Sequence, residues 1–341
     1  MSDKNSKTTL TKKEMQDISM EKFNVFCVYF IHPIFSVRSE STTTPYSKIP
    51  FKQLISYFED KNFADFSNKK IVELCAEVNN RVAGKLSCYA SKVVCDDGNK
   101  AYMMYCPEDN SINIFADFMK TFLSDRKEEI GINFLFSILH ETYHACQTEN
   151  LKKFMKDKPC NMDMINSYVQ NIINCADQFF MKDSDRIFYI KTNQNKYSPD
   201  SYELDYTRNQ LDYASDFQEL EANYFALKML KSFEDKGYLK DSKTLNSFCF
   251  NMINDMANLM YFFDKQKRHF NKTKNELLSV ADKIPEDRIR LYAKTKSKIT
   301  GLLKNFDTEK VFADRKSKMV ELMSMAIVIG EQDEFNKEWS K

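Results

Sequence analysis

Ile138-Leu-His140-Glu141-Thr-Tyr-His144-Ala-Cys146 is the stretch on which the reading of this chain turns. Ile132 to Gln147 is almost continuously apolar around it, a pattern that predicts a helix buried on most sides. On such a helix His140 and His144 stand at i and i+4, with Cβ atoms about 5–6 Å apart on one face, so both imidazoles can reach one ion. Glu141 follows about 100° further round the helix. From there its carboxylate reaches a water held by the ion without itself becoming a ligand. Only four histidines occur in the whole chain, and two of them fall in this pattern. The plainer alternative is a pair of packed histidines on a core helix.

A tetrahedral catalytic site needs three protein ligands and one open position. The third candidate lies in Asp216-Phe-Gln-Glu219-Leu-Glu221-Ala-Asn223-Tyr-Phe-Ala226, on a second predicted helix. Glu219 and Glu221 point about 200° apart on a helix, so only one can face the ion. We favour Glu219. Ala222, three residues on, is small enough for two helices to approach closely. Asn223, four residues on, shares the Glu219 face and could accept from the free ring N–H of a ligating histidine. Glu221 is flanked by Leu220 and Phe225, which does not resemble a ligand face.

The His140-Glu141-x-x-His144 motif followed by Glu219-x-x-Ala222-Asn223-x-Phe225-Ala226 resembles the zincin metallopeptidases whose third ligand is glutamate, and is most similar in pattern to the ImmA/IrrE type. The CAAX-prenyl protease class has a related pattern but is membrane-embedded. Tyr105-Cys-Pro-Glu-Asp-Asn-Ser-Ile-Asn-Ile-Phe115 resembles the hairpin and edge strand that precede the active helix in such enzymes. The resemblance covers residues 85–230 and departs from the family in the long interval between His144 and Glu219, which holds an extra helix near 162–181.

The resemblance implies zinc held by His140, His144 and Glu219, with Glu141 as general base in hydrolysis of a protein or peptide substrate. It also implies a regulatory or mobile-element protease acting on a repressor-like partner. The fold it points to is α+β and zincin-like: a small, mainly antiparallel sheet, an active-site helix, and a mostly helical C-terminal half. Two other readings stay open. One is a catalytically silent zincin-fold binding or scaffold protein that keeps the metal for stability. The other is an exported effector protease.

The rest of the chain sets bounds. With 341 residues and 43% hydrophobic content, it can bury a sizeable core. A net charge of +1 points to neither nucleic acid nor a membrane surface. Six scattered glycines offer no phosphate-cradling loop. Nine cysteines without a CxxC pair exclude a zinc ribbon and favour reduced thiols over a disulfide framework. Residues 1–22 read as a flexible tail without a secretory signal, 23–235 as the zincin-like domain, and 236–341 as a helical region packed on it or following it. The longest apolar run, Phe23 to Phe35, is broken by Asn24, His32 and Pro33 and is too short to span a bilayer. A cytoplasmic location is expected.

Residues 23–36 suit a buried strand. Leu86–Val94, Ala101–Cys106 and Ser111–Phe115, separated by turn signals, predict an antiparallel meander. Helices are predicted at 51–58, 69–82, 162–181, 216–235, 243–267, 285–304 and 308–328. Residues 264–318 carry sixteen Lys/Arg against eight Asp/Glu, read here as solvated helix faces because no nucleic-acid motif accompanies them. The acidic run 200–221 reads as a solvated loop, with a cleft for basic peptide segments as the alternative. Tyr202, Tyr206, Tyr213 and His269 are candidates to donate to the oxyanion of a tetrahedral intermediate, with ordinary packing or surface roles the default. His32 reads as a packed histidine. Cys146 reads as a small buried hydrophobe rather than a nucleophile.

Overall fold

The computed structural model describes residues 49–97, 102–180, 217–257, 267, 270–279 and 293–339. The predicted tail and first strand, His32, His269, and Tyr202, Tyr206 and Tyr213 lie outside the described residues.

Helix α1 (Phe51–Ser56) runs into a 3-10 turn at Tyr57–Glu59, and a second such turn follows at Phe63–Asp65. Helix α2 (Asn68–Lys85) starts at Ser67, whose hydroxyl accepts from Lys70 N at 3.3 Å and satisfies one of the helix's orphan donors. Its buried side chains Ile71, Leu74, Cys75, Val78 and Val82 recur at helical spacing and form one apolar face. Leu86 to Ser91, predicted as strand, instead closes this helix. Ser87 takes a positive φ of 56°, and Cys88 N donates back to Ala83 O at 2.9 Å.

The sheet contains β1 (Lys92–Cys95), β2 (Met103–Cys106) and β3 (Ser111–Ile114), in the order β1-β3-β2. It is mixed, not mainly antiparallel. Strands β2 and β3 form the predicted hairpin, with Cys106 opposite Ser111 and Asn110 at φ 54° in the turn. Strand β1 instead pairs in parallel with the far side of β3, Lys92 opposite Ser111. Asn110 explains the direction. Its carbonyl accepts from Lys92 N at 3.0 Å and its side chain lies 3.1 Å from Ser91 Oγ, so β1 begins where β3 begins.

A short helix that the sequence reading did not anticipate, α3 (Ala116–Phe122), and a 3-10 stretch at Ser124–Glu129 lead into the long helix α4 (Ile130–Met155). Helices α5 (Met162–Phe180), α6 (Phe217–Asp235), α7 (Ser242–Ala257), α8 (Ala293–Asn305) and α9 (Thr308–Trp339) follow. Helix α4 lies at the centre, against α2, α5, α6 and strand β2. The main core joins its Phe134, Leu135, Ile138 and Leu139 to Ile112 and Ile114 of β3, Leu227 and Leu230 of α6, Leu245 of α7 and Leu322 of α9. A second core gathers Leu151, Ile165, Val169 and Phe217 with Phe270, Ile299, Leu303 and Phe312. Both cross residue 235, so the C-terminal helices pack on the preceding region.

Three cations of the basic C-terminal stretch are not on solvated faces. Arg315 is 3% exposed with its guanidinium carbon 3.5 Å from the centre of the Phe217 ring. Lys298 donates to the carbonyls of Phe154 (2.7 Å) and Met155 (3.0 Å) at the C-terminal end of α4. Lys318 pairs with Glu221 at 2.6 Å. Aromatic faces, helix-end carbonyls and carboxylates turn these side chains inward, which net charge per segment does not reveal.

Gly131 is fixed by sterics. A Cβ there would sit 2.1 Å from the Phe58 carbonyl oxygen and 2.9 Å from its carbon, where the first turn of α4 meets the turn after α1. Gly301, inside α8, has nothing within 4 Å of its Cβ position. The same substitution should therefore act in opposite directions. Gly301→Ala should stabilise the protein by about 0.5–1 kcal/mol through helix propensity. Gly131→Ala should destabilise it by about 1–3 kcal/mol or more because backbone must move. Urea unfolding of both variants checks this, and equal effects would show the contact at Phe58 to be unimportant.

Candidate metal centre

The centre forms where α6 crosses α4. On α6, Ala222 and Ala226 are fully buried, and their small side chains let the two helices approach. The crossing places Glu219 over the two histidines of α4. His140 Nε2 is 3.0 Å from Glu219 Oε2, His144 Nε2 is 3.3 Å from Glu219 Oε1, and the two Nε2 atoms are 3.0 Å apart. One ligand atom from each residue lies within 4.8 Å of the others, a grouping that could hold a metal ion. Ligands at about 2.0–2.1 Å in a tetrahedron stand about 3.3 Å apart, so the spacing fits. Glu219 Oε2 and His140 Nδ1 are buried and make no well-aligned hydrogen bond among the described residues, Oε2 having only the 3.0 Å approach of His140 Nε2. An ion would satisfy the first of these.

Burial works against ionisation of Glu219, but the adjacent His144 and His140 imidazoles outweigh it and hold the carboxyl well below its ordinary range. Burial likewise works against a charged His144, yet the Glu219 carboxylate pushes it up to about 10. His144 Nδ1 lies 2.8 Å from Gln147 Oε1, and Gln147 Nε2 donates to Gln218 O at 3.3 Å. This chain of bonds orients the Gln147 amide with its oxygen toward the ring. Nδ1 then carries a proton, and an ion at the centre would take the place of the second proton on Nε2.

Glu141 stands beside the centre without joining it. Its Oε2 accepts from Tyr105 N of β2 at 2.8 Å, and its Oε1 is 3.9 Å from His140 Nε2. Burial raises the Glu141 carboxyl above its ordinary range, against the two imidazoles that lower it. A carboxylate fixed through one oxygen, with the other facing the histidines and a raised proton affinity, can take a proton from a group at the centre. The side chains of His144 and Glu219 are 14% and 17% exposed against 7% for His140, which makes them the more exposed members of the cluster.

The structure thus brings His140, His144, Glu219 and Glu141 together. Glu221 faces the opposite way, toward Lys318. Asn223 does not take the role the sequence reading gave it: Gln147 faces His144 Nδ1, and His140 Nδ1 has no partner among the described residues. Gln147 was legible in principle, as it lies three residues after His144 on the same face. The Tyr105 backbone contact was not, because it depends on where the sheet docks. Cys146 is fully buried, and Cys88 beside it together with burial pushes its thiol up, which suits a packing residue.

Purified protein should carry about one metal ion per chain, held by two imidazoles and one carboxylate. His140→Ala, His144→Ala and Glu219→Ala should lose it, whereas Glu221→Ala should still bind it, about tenfold more weakly at most. Gln147→Leu should weaken binding by about 10–100-fold through His144. Elemental analysis and titration against a competing chelator read all five variants. Full occupancy in either histidine variant would remove the centre.

No protein-family model matches this chain, and neither a curated protein nor a solved structure shows detectable similarity to it.

Proposed function

We propose that the chain is a zinc-dependent peptidase acting on protein or peptide substrates. The observation that carries this reading is Glu141: a buried carboxylate at the edge of a His/His/Glu cluster, anchored through one oxygen and not itself in the cluster. A closed structural site has four protein ligands, whereas the described residues bring three together. A site built only for stability also has no use for a tethered base beside it.

Zinc held by His140, His144 and Glu219 would supply Lewis acidity to a water and to a substrate carbonyl. The rest falls to the chain's own groups. Tyr105 N–H holds Glu141 Oε2, so Oε1 stays directed at the centre. Glu141 accepts the proton of the attacking water and can later return it to the leaving amine, a role its raised proton affinity favours. Gln147 keeps the His144 ring oriented.

Strand β2 supports a peptide substrate. Among the described strands, in the order β1-β3-β2, it is an outer strand, and the Phe115 N to Tyr102 O bond sets the ladder so that Met103 and Tyr105 direct their backbone groups away from β3. An extended peptide laid along that edge would run beside Glu141.

Glu141→Gln is the decisive variant, since glutamine is nearly isosteric and cannot accept the proton. With zinc loaded, the unaltered protein should cleave members of a mixed peptide library, read by mass spectrometry. The variant should keep its zinc and its melting temperature while cleaving about 10²–10⁴-fold more slowly. Equal turnover in the two proteins would show that Glu141 is not the base. A zinc-loaded protein that cleaves nothing would favour a binding role.

A further inference from the structure

Glu221 points away from the histidines, and its partners explain why a second carboxylate sits so close to the first. Its Oε1 is 2.6 Å from Lys318 Nζ of α9, and Tyr143 of α4 lies beside the same carboxylate. Tyr143 also stacks on Phe225, with ring centroids 4.8 Å apart. Lys318 is shared with Asp314, one turn earlier on α9, at 2.9 Å. The side chains of Lys318 and Glu221 are 22% and 18% exposed, so water screens the pair less than it would a surface ion pair.

The pair belongs to a stripe. Arg315 stacks on Phe217, Lys318 meets Glu221, and Glu321 takes both the Tyr224 hydroxyl and the Lys228 ammonium. Positions 217, 221, 224 and 228 recur at helical spacing and lie on the side of α6 away from Glu219. Helix α9 thus reaches the back of α6 through these side chains while α4 packs on its front.

Resting on the metal-centre reading above, we infer that Lys318 is a positioning residue for the centre. Through Glu221 it fixes the rotation of α6 about its axis, and with it the reach of Glu219 to His140 and His144. The lever is steep. A side chain about 6 Å from a helix axis moves by about 2 Å for a rotation of about 20°. Metal–ligand distances tolerate about 0.2 Å. The apolar contacts of α6 resist separation from α4 but oppose small rotations weakly, because hydrophobic contact is not directional. A half-buried ion pair on the back face is directional and supplies that restraint.

The test uses the full chain, with zinc as the probe. Zinc affinity is measured by chelator competition for the unaltered protein, Lys318→Met, Lys318→Arg and Glu219→Ala. Thermal melting of each is recorded with the metal removed. Lys318→Met should bind zinc about tenfold more weakly, with little change in the metal-free melt and an altered visible spectrum of the cobalt(II)-loaded protein. Lys318→Arg, which keeps the charge, should restore most of the affinity, and Glu219→Ala should fall well below Lys318→Met. Tight zinc binding by the unaltered protein with unchanged affinity in Lys318→Met overturns the positioning role alone. A metal-free melt that collapses in Lys318→Met overturns it too, by making the residue structural. Failure of the unaltered protein to bind zinc overturns the metal centre and this inference together.

Discussion

An ionised carboxylate placed between two imidazoles, where most water has been removed, is the interaction on which this structure depends. An unpaired charge at such a position would cost several kcal/mol, so α6 can cross α4 there only if Glu219 meets its partners. Four successive residues of α4 show how tightly the surroundings are specified. Glu141 reaches the backbone of β2, Thr142 the buried Asn79 of α2, Tyr143 the Phe225 ring of α6, and His144 the Glu219 carboxylate. Each step of about 100° round the helix addresses a different contact. Asn79 carries the specification outward, since its amide donates to Ser91 O at 2.8 Å, next to the start of β1.

What could be read in advance follows from which constraints are local. His140 and His144 share a face whenever their segment is helical, so their convergence was legible without any tertiary knowledge. The choice of Glu219 over Glu221 was legible for the same reason, since only one can face the partner helix. The β2–β3 hairpin was legible in the Pro107 to Asn110 turn. The pairing of β1 was not, because its direction is set by Lys92 and Ser91 reaching Asn110, a contact between segments apart in sequence. Leu86 to Ser91 was misread because an apolar, β-prone run was here used to cap a helix. Asn223 was misassigned because residues on one helical face still differ in depth, and Gln147 lies on the same helix as the ring it orients. Helix α3 is seven residues long, too short for a periodic signal.

The C-terminal third gains a purpose from its contacts. Charge counting made it a set of wet, basic helix faces. Two of its lysines instead address the two helices that carry the centre: Lys298 meets the end of α4 and Lys318 the back of α6. Its apolar residues complete both cores. A region that composition describes as surface is, at these positions, part of the frame.

The three residues of the cluster are unevenly distributed along the chain, two of them one helical turn apart and the third beyond α5. An unfolded chain can present the two histidines as neighbours, but it brings the glutamate to them only by chance. Any ion that prefers all three groups therefore discriminates between folded and unfolded chains and acts as a folding ligand. By mass action, free ion at about a hundred times its dissociation constant adds about 2.7 kcal/mol to the folded state. With such an ion bound, the resistance of this protein to heat, denaturant and digestion would become a function of metal supply, and chelation would loosen the fold from its centre outward.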